Sequence, residues 1–125
     1  MILDTSFLIA LLINKPEAVK KASLIEEEEI IKITSISVFE LMKGIKKENH
    51  REKVMELMNN LVVLDLTKES AYEAGLISKA LILKGKEIEP EDCMIAGIAI
   101  VNNEVLLTRN IKHFERVEGL KVEEY

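Results

Sequence analysis

The chain has 125 residues, 48% hydrophobic and 31% charged, a balance that excludes both a disordered tail and a membrane bundle. A formal charge of −5, from 17 basic and 22 acidic residues, argues against a general nucleic-acid coat but permits a local basic patch. The single cysteine, Cys93, excludes a disulfide framework and reads as a small buried hydrophobe. With only 4% aromatics, the core has to be built from Ile, Leu, Val and Met.

Met1-Ile-Leu3 reads as a short buried strand ending at Asp4, followed by a buried helix over Phe7–Ile13. That apolar run is far short of the roughly 20 residues a membrane span needs. It also lacks a positive leading segment and a small-residue cleavage site, so a cytoplasmic protein without membrane contact is expected. Pro16 opens a second helix running to about Glu29, and Ile30–Thr34 is the second strand. Ser35 or Ser37 is the expected cap of a helix over Val38–Lys47, and a further amphipathic helix covers Arg51–Asn60. Leu61–Leu66 is the third strand. Thr67, with Ser70 at the third helical position, starts a long helix Lys68–Leu83 that Gly85 ends. Pro90 opens a helix reaching about Asn103. Glu104–Thr108 forms the fourth strand, and Leu120–Glu123 a fifth.

Short apolar strands alternating with helices indicate parallel βαβ units. The expected architecture is one domain over residues 1–125. It is α/β, in three layers (α/β/α), with a central, mostly parallel sheet of four to five strands. In such sheets ligands bind beyond the carboxyl ends of the strands, which directs attention to three acids. Asp4 is the only charged residue in the first fourteen and falls at the end of the first strand. It either caps the following helix or binds a cation, since an unpaired carboxylate in apolar surroundings is expensive. Asp92 lies in the first turn of a helix that carries no charge from Met94 to Val101. It either complements the helix dipole or points into a pocket. Helical periodicity puts Phe39, Leu41, Met42 and Ile45 on an inward face and Glu40 on the opposite stripe with Ser37, Lys43 and Gly44, facing solvent or a cleft wall. Together the three acids offer the oxygen donors that Mg²⁺ takes, and such a site activates water and neutralises charge on a phosphodiester.

At these residues the chain resembles PIN domains and, within them, VapC-type toxin ribonucleases. The resemblance runs over essentially the whole sequence. It rests on Ile2-Leu-Asp4-Thr-Ser6, on Ser35-Ile-Ser-Val-Phe-Glu40-Leu with Gly44, on Glu91-Asp92-Cys-Met-Ile-Ala96, on Leu107-Thr-Arg-Asn110-Ile-Lys-His-Phe114, and on the closing Val117-Glu-Gly-Leu-Lys-Val122. It implies a metal-dependent endoribonuclease, the toxin of a toxin–antitoxin pair. Asp4 and Asp92 would be ligands of Mg²⁺ or Mn²⁺, with Glu40 holding metal or orienting the attacking water, and with Ser6 as the hydroxyl beside the first Asp. The family commonly has a fourth acid after the fourth strand. Here Asn110 and His113 occupy that block, and Asn110 would supply at most a neutral oxygen. The alternatives are an RNA-processing PIN nuclease without an antitoxin and a catalytically silent binding module. A phospho-acceptor signalling domain would need an acidic pair after the first strand, where Asp4 is followed by Thr5-Ser6.

Basic residues flank two of these blocks. Residues 43–53 carry a net +3, with Lys43, Lys46 and Lys47 nearest Glu40. Arg109, Lys112 and Arg116 against Glu115 give +2 beside Asn110. Both sets are candidate contacts to RNA phosphates. Apolar stripes at Val54, Leu57, Met58 and Leu61, and at Ala71, Ala74, Leu76, Ile77 and Ala80, predict a homodimer and a groove for an antitoxin helix.

Overall fold

Strands β1 (Ile2–Leu3), β2 (Lys32–Thr34), β3 (Val62–Leu64), β4 (Leu106–Thr108) and β5 (Val122–Glu124) pair in the order β3-β2-β1-β4-β5. Every pairing is parallel. The computed structural model describes residues 1–125. Helices α1 (Thr5–Leu12) and α2 (Pro16–Glu28) link β1 to β2, and α3 (Ser35–Gly44) and α4 (Glu48–Asn60) link β2 to β3. Helices α5 (Lys68–Leu83) and α6 (Pro90–Val101) cross to β4, and the one-turn α7 (Ile111–Phe114) leads to β5.

Alternation along the strands sorts side chains to two faces, giving the three layers expected. Ile2 and Leu106 join Ala74, Ile77 and Leu81 of α5 and Ile95 and Ile98 of α6 in one core. Leu3, Ile33 and Leu107 join Phe7, Leu8, Ala18, Leu41 and Val54 in the other. From β1 the chain winds outward through β2 and β3, then returns to add β4 on the other side. The strand order therefore reverses between β1 and β4, and a crevice opens there at the carboxyl edge.

Helix α6 is apolar nearly all round because it lies in the core, with Cys93, Ile95, Ala96, Gly97, Ile98 and Ala99 buried. Gly97 is the point of closest approach to α5: a Cβ there would lie 2.6 Å from the Ser70 carbonyl oxygen. Thr67 and Ser70 form the anticipated reciprocal cap of α5, and Gly85, at φ 67°, ends that helix.

Several boundaries differ from expectation. Thr34, not Ser35 or Ser37, caps α3: its hydroxyl accepts the Ser37 N–H at 3.0 Å. That helix stops at Gly44, so Lys46 and Lys47 lie in the connection to α4, which begins earlier than Arg51. The α7 turn has no signal in the apolar pattern. The stripe on α4 divides: Val54 is buried and Leu57 and Leu61 half-buried, while Met58 and the neighbouring Met55 stand outside. On α5, Ala74 and Ile77 enter the core, and Ala71, Leu76 and Ala80 face out. No helix is long and apolar enough to cross a membrane.

Candidate active site

Asp4 follows β1 and is 3% exposed. It occupies the N-cap position of α1, yet its carboxylate caps no backbone N–H. Instead Oδ2 accepts hydrogen bonds from the Thr108 hydroxyl at 2.7 Å and the Ser6 hydroxyl at 3.2 Å. The helix-capping alternative is thereby set aside. Thr108 closes β4, the strand beside β1, and its Oγ1 also accepts the Asn110 backbone N–H at 2.9 Å. Burial raises the Asp4 carboxyl pKa, with the Thr108 hydroxyl, the Thr5 backbone N–H and the Ser6 hydroxyl pulling the other way.

Glu40 comes from α3 and is half-buried. Its Oε1 accepts the Thr5 hydroxyl at 2.7 Å, and Thr5 lies 2.9 Å from the buried Ser37 hydroxyl. The periodicity reading of this helix holds for Leu41, Ile45, Lys43 and Gly44 and fails for Phe39, Met42 and Ser37. Phe39 is 55% exposed and Met42 39%, whereas Ser37 is fully buried. The hydroxyl chain explains the reversal: Thr34, Ser37 and Thr5 satisfy one another and Glu40, which lets a polar stripe face inward at the sheet edge. Phe39 instead stacks under Lys43, whose Nζ lies 5.5 Å from the ring centre. Burial is the main cause that raises the Glu40 pKa. The Thr5 bond opposes it, Asp4 and Glu91 add to it, and Lys43 offsets part.

Asp92 stands in the first turn of α6, half-buried, with no hydrogen bond or ion pair to its carboxylate. Burial, then repulsion from Asp4, Glu40, Glu89 and Glu91, pushes its pKa up to about 7. The three acids, from three elements, therefore share one electrostatic neighbourhood at the sheet's carboxyl edge. Their donors are all oxygens, the kind that Mg²⁺ or Mn²⁺ prefers, and the Asp92 carboxylate is left without a hydrogen-bond partner. The residues fit such an ion, although no three of them close into an ion-sized group as they stand. Mutual repulsion of carboxylates opposes that closure without a cation.

Asn110 is exposed and meets the cluster through its backbone bond to Thr108; its side chain makes no hydrogen bond. Lys43, Lys46 and Lys47 are exposed around the end of α3. Arg109 is engaged elsewhere, 3.4 Å from Glu17 and 4.7 Å above the Tyr125 ring. Lys112 and Arg116 line an open cleft with Lys86. Thr5 and Thr108 are the residues that the sequence reading did not single out for this site. A hydroxyl as the last residue of an otherwise apolar strand was the available signal at Thr108.

A parallel sheet with acids gathered at its reversal point is the arrangement found in a known nuclease-bearing class: the PIN domain family model matches residues 1–120, and the chain belongs to that family. Within it, the chain is 33% identical to the tRNA(fMet)-specific endonuclease VapC of Salmonella typhimurium, over 98% of this chain and 96% of that protein. It is 30% identical to Ribonuclease VapC2 of Rickettsia felis, with the same coverage. Among solved structures, the DNA-bound VapBC of Salmonella typhimurium superposes with a TM-score of 0.87 at 34% identity, covering 98% of this chain and 96% of that one. The VapBC2 complex of Rickettsia felis on a promoter DNA fragment also gives 0.87, at 29% identity, covering 99% and 97%.

Proposed function

We propose that this protein is a metal-dependent endoribonuclease and the toxin of a toxin–antitoxin pair. The observation that carries the reading is the convergence of Asp4, Glu40 and Asp92, with Asp92 held at about 7 by burial and its acidic neighbours. Similarity to VapC ribonucleases over nearly the whole chain supports the substrate class, and the VapBC complexes among its structural relatives support an antitoxin as partner. The uncovered faces around Met55, Met58 and Leu76 support a homodimer.

In this reading Asp4 and Asp92 hold Mg²⁺ or Mn²⁺, with Glu40 as third acid and Ser6 as a positioning residue. Bound there, the ion lowers the pKa of water and neutralises charge on the phosphodiester. Thr108 and Ser6 fix Asp4 through Oδ2, and in this reading Oδ1 serves the ion. Thr5 holds Glu40 by Oε1, which leaves Oε2 to orient water and accept its proton. Asn110 contributes a neutral amide at the rim in place of an acid. Lys112 and Arg116 supply contacts to RNA phosphates.

A second reading, a catalytically silent RNA-binding PIN module, is favoured by one pair of observations. The acids do not close into an ion-sized group, and Asn110 stands where the family often has an acid. Incubating the purified protein with a panel of tRNAs in Mg²⁺ and in EDTA separates the two. Cleavage at discrete positions that EDTA abolishes is expected. Intact RNA in both conditions, with RNA still bound, would establish the silent module.

A further inference from the structure

The predicted phosphate contacts do not form one surface. Lys43, Lys46 and Lys47 cluster around the open end of α3, and Arg109 is tied to Glu17 and Tyr125. Lys112 and Arg116 instead line a cleft of about 380 Å³ with Gly85, Lys86 and Glu115. No hydrophobic residue lines the cleft, so it is not an unfilled piece of core.

Two segments build it, and both lead into the acidic crevice. One is the loop after α5, where Gly85 takes the left-handed conformation that glycine permits and turns Lys86 outward. That loop runs directly into the first turn of α6, which carries Asp92. The other is α7, preceded by its N-cap Asn110, whose backbone N–H is bonded to Thr108, the residue that donates to Asp4. Arg116 ties the two together, reaching the Lys86 and Glu87 carbonyl oxygens at 3.5 and 3.4 Å. Three cations against one carboxylate line this cleft in a chain whose net charge is −5, and along the chain its two segments continue to Asp92 and to Asn110. A polyanion approaching this acidic molecule needs a local positive seat, and the cleft provides one.

We infer that the Lys86–Lys112–Arg116 cleft seats the backbone phosphates of single-stranded RNA next to the bond presented to Asp4 and Asp92. Lys86 is the new member of this set. The inference rests on the ribonuclease reading for what lies next door, but binding can be read without cleavage.

The test titrates a fluorescein-labelled, mixed-sequence single-stranded RNA against the protein, with Ca²⁺ in place of Mg²⁺ so that binding is read without turnover. The titration is repeated across a salt series. Each phosphate contact contributes about 0.7 to the slope of log affinity against log salt. The Lys86→Gln/Lys112→Gln double variant should therefore lose roughly 1.4 of that slope and bind about tenfold more weakly at low salt. Both lysines are exposed, so folding should persist, as circular dichroism will show. The charge-matched Lys20→Gln/Lys68→Gln control, on exposed positions of α2 and α5, should keep the wild-type slope. A double variant with wild-type affinity and slope overturns the cleft, as does a wild-type protein that binds no RNA. If wild-type protein binds with the cleft-dependent slope but never cleaves in Mg²⁺, the ribonuclease reading falls and the cleft stands.

Discussion

At the amino edge of the sheet Glu104 accepts hydrogen bonds from Lys32 and from the Met1 amino group, the latter at 2.8 Å, while Glu29 lies 2.7 Å from the same amine. At the carboxyl edge Asp4 receives hydroxyl bonds but no cation, and Asp92 receives neither. Both regions bury carboxylates, but only one supplies cations. Burial works against the Glu104 charge, yet the bonds from Lys32 and the amine outweigh it and hold its pKa below the usual range. At the opposite edge burial wins, helped by like charge. One edge is finished as a structure, whereas the other is left electrostatically incomplete. A site that awaits a cation and a polyanion has this character.

The largest effect that could break this comparison concerns Asp4. Asp4→Asn should lower RNA cleavage roughly a thousandfold, about 4 kcal/mol in the barrier, because in the proposed mechanism the ion loses a charged ligand. Its metal-free melting temperature should stay level or rise, since the carboxylate caps no helix and repels Asp92. A melting temperature lowered by several degrees would mean that Asp4 serves the fold.

Next in size is Glu104→Gln. It leaves Lys32 and the Met1 amine without their shared carboxylate and should destabilise the protein by about 1–3 kcal/mol in urea unfolding. Cleavage measured well below the melting temperature should be unchanged. If activity fell with stability preserved, the two edges would not be separate in role.

The smallest effect is in the pH dependence, where the two edges have opposite signs. Asp92 has a raised pKa, so the folded metal-free protein holds a proton that the unfolded chain releases above its ordinary value of 3.8. Stability in EDTA should therefore decline as pH rises from about 4 to about 7, by a few degrees in melting temperature. Glu104 has a lowered pKa, so its contribution is present above the ordinary 4.5 and is lost as pH falls below it. Differential scanning fluorimetry from pH 3 to 8 should show a maximum between these limbs, and Asp92→Asn should flatten the upper one. Mg²⁺ should likewise flatten it in wild-type protein by neutralising the cluster.

Much of this contrast was legible before any coordinates. The strand ends at Asp4 and Thr108 follow from where apolar runs stop, and the buried α6 follows from eight residues, Met94 to Val101, without a charge. The resemblance carried by the blocks around Asp4, Glu40, Asp92 and Asn110 placed those residues in one domain, and the fold bears out the parallel sheet beneath them. On α3 the inward setting of Leu41 and Ile45 was legible, but the inward setting of Ser37 and the outward setting of Phe39 and Met42 were not. Periodicity weighs each side chain by its own polarity, but Glu40 faces inward because Thr5, some thirty-five positions earlier, offers it a hydroxyl. Thr108 is likewise joined to Asp4 across a separation of 104 residues. Such bonds are properties of the assembled sheet edge, and no local window of sequence contains both partners.

Gly97 gives the packing of α5 against α6 a mechanical meaning. Asp92 lies five residues up the same helix, about 7.5 Å along its axis. Helix α6 is thus a rigid rod whose contact point is Gly97 and whose tip carries a charge into the crevice. A methyl group at the contact point would meet the Ser70 carbonyl oxygen and the Ala74 nitrogen at 2.6 and 3.0 Å, backbone that has little room to yield. The rod would have to tilt or lift, and its tip, with Asp92, would shift relative to Asp4. The smallest residue in the core therefore sets the aiming tolerance of a carboxylate it never touches.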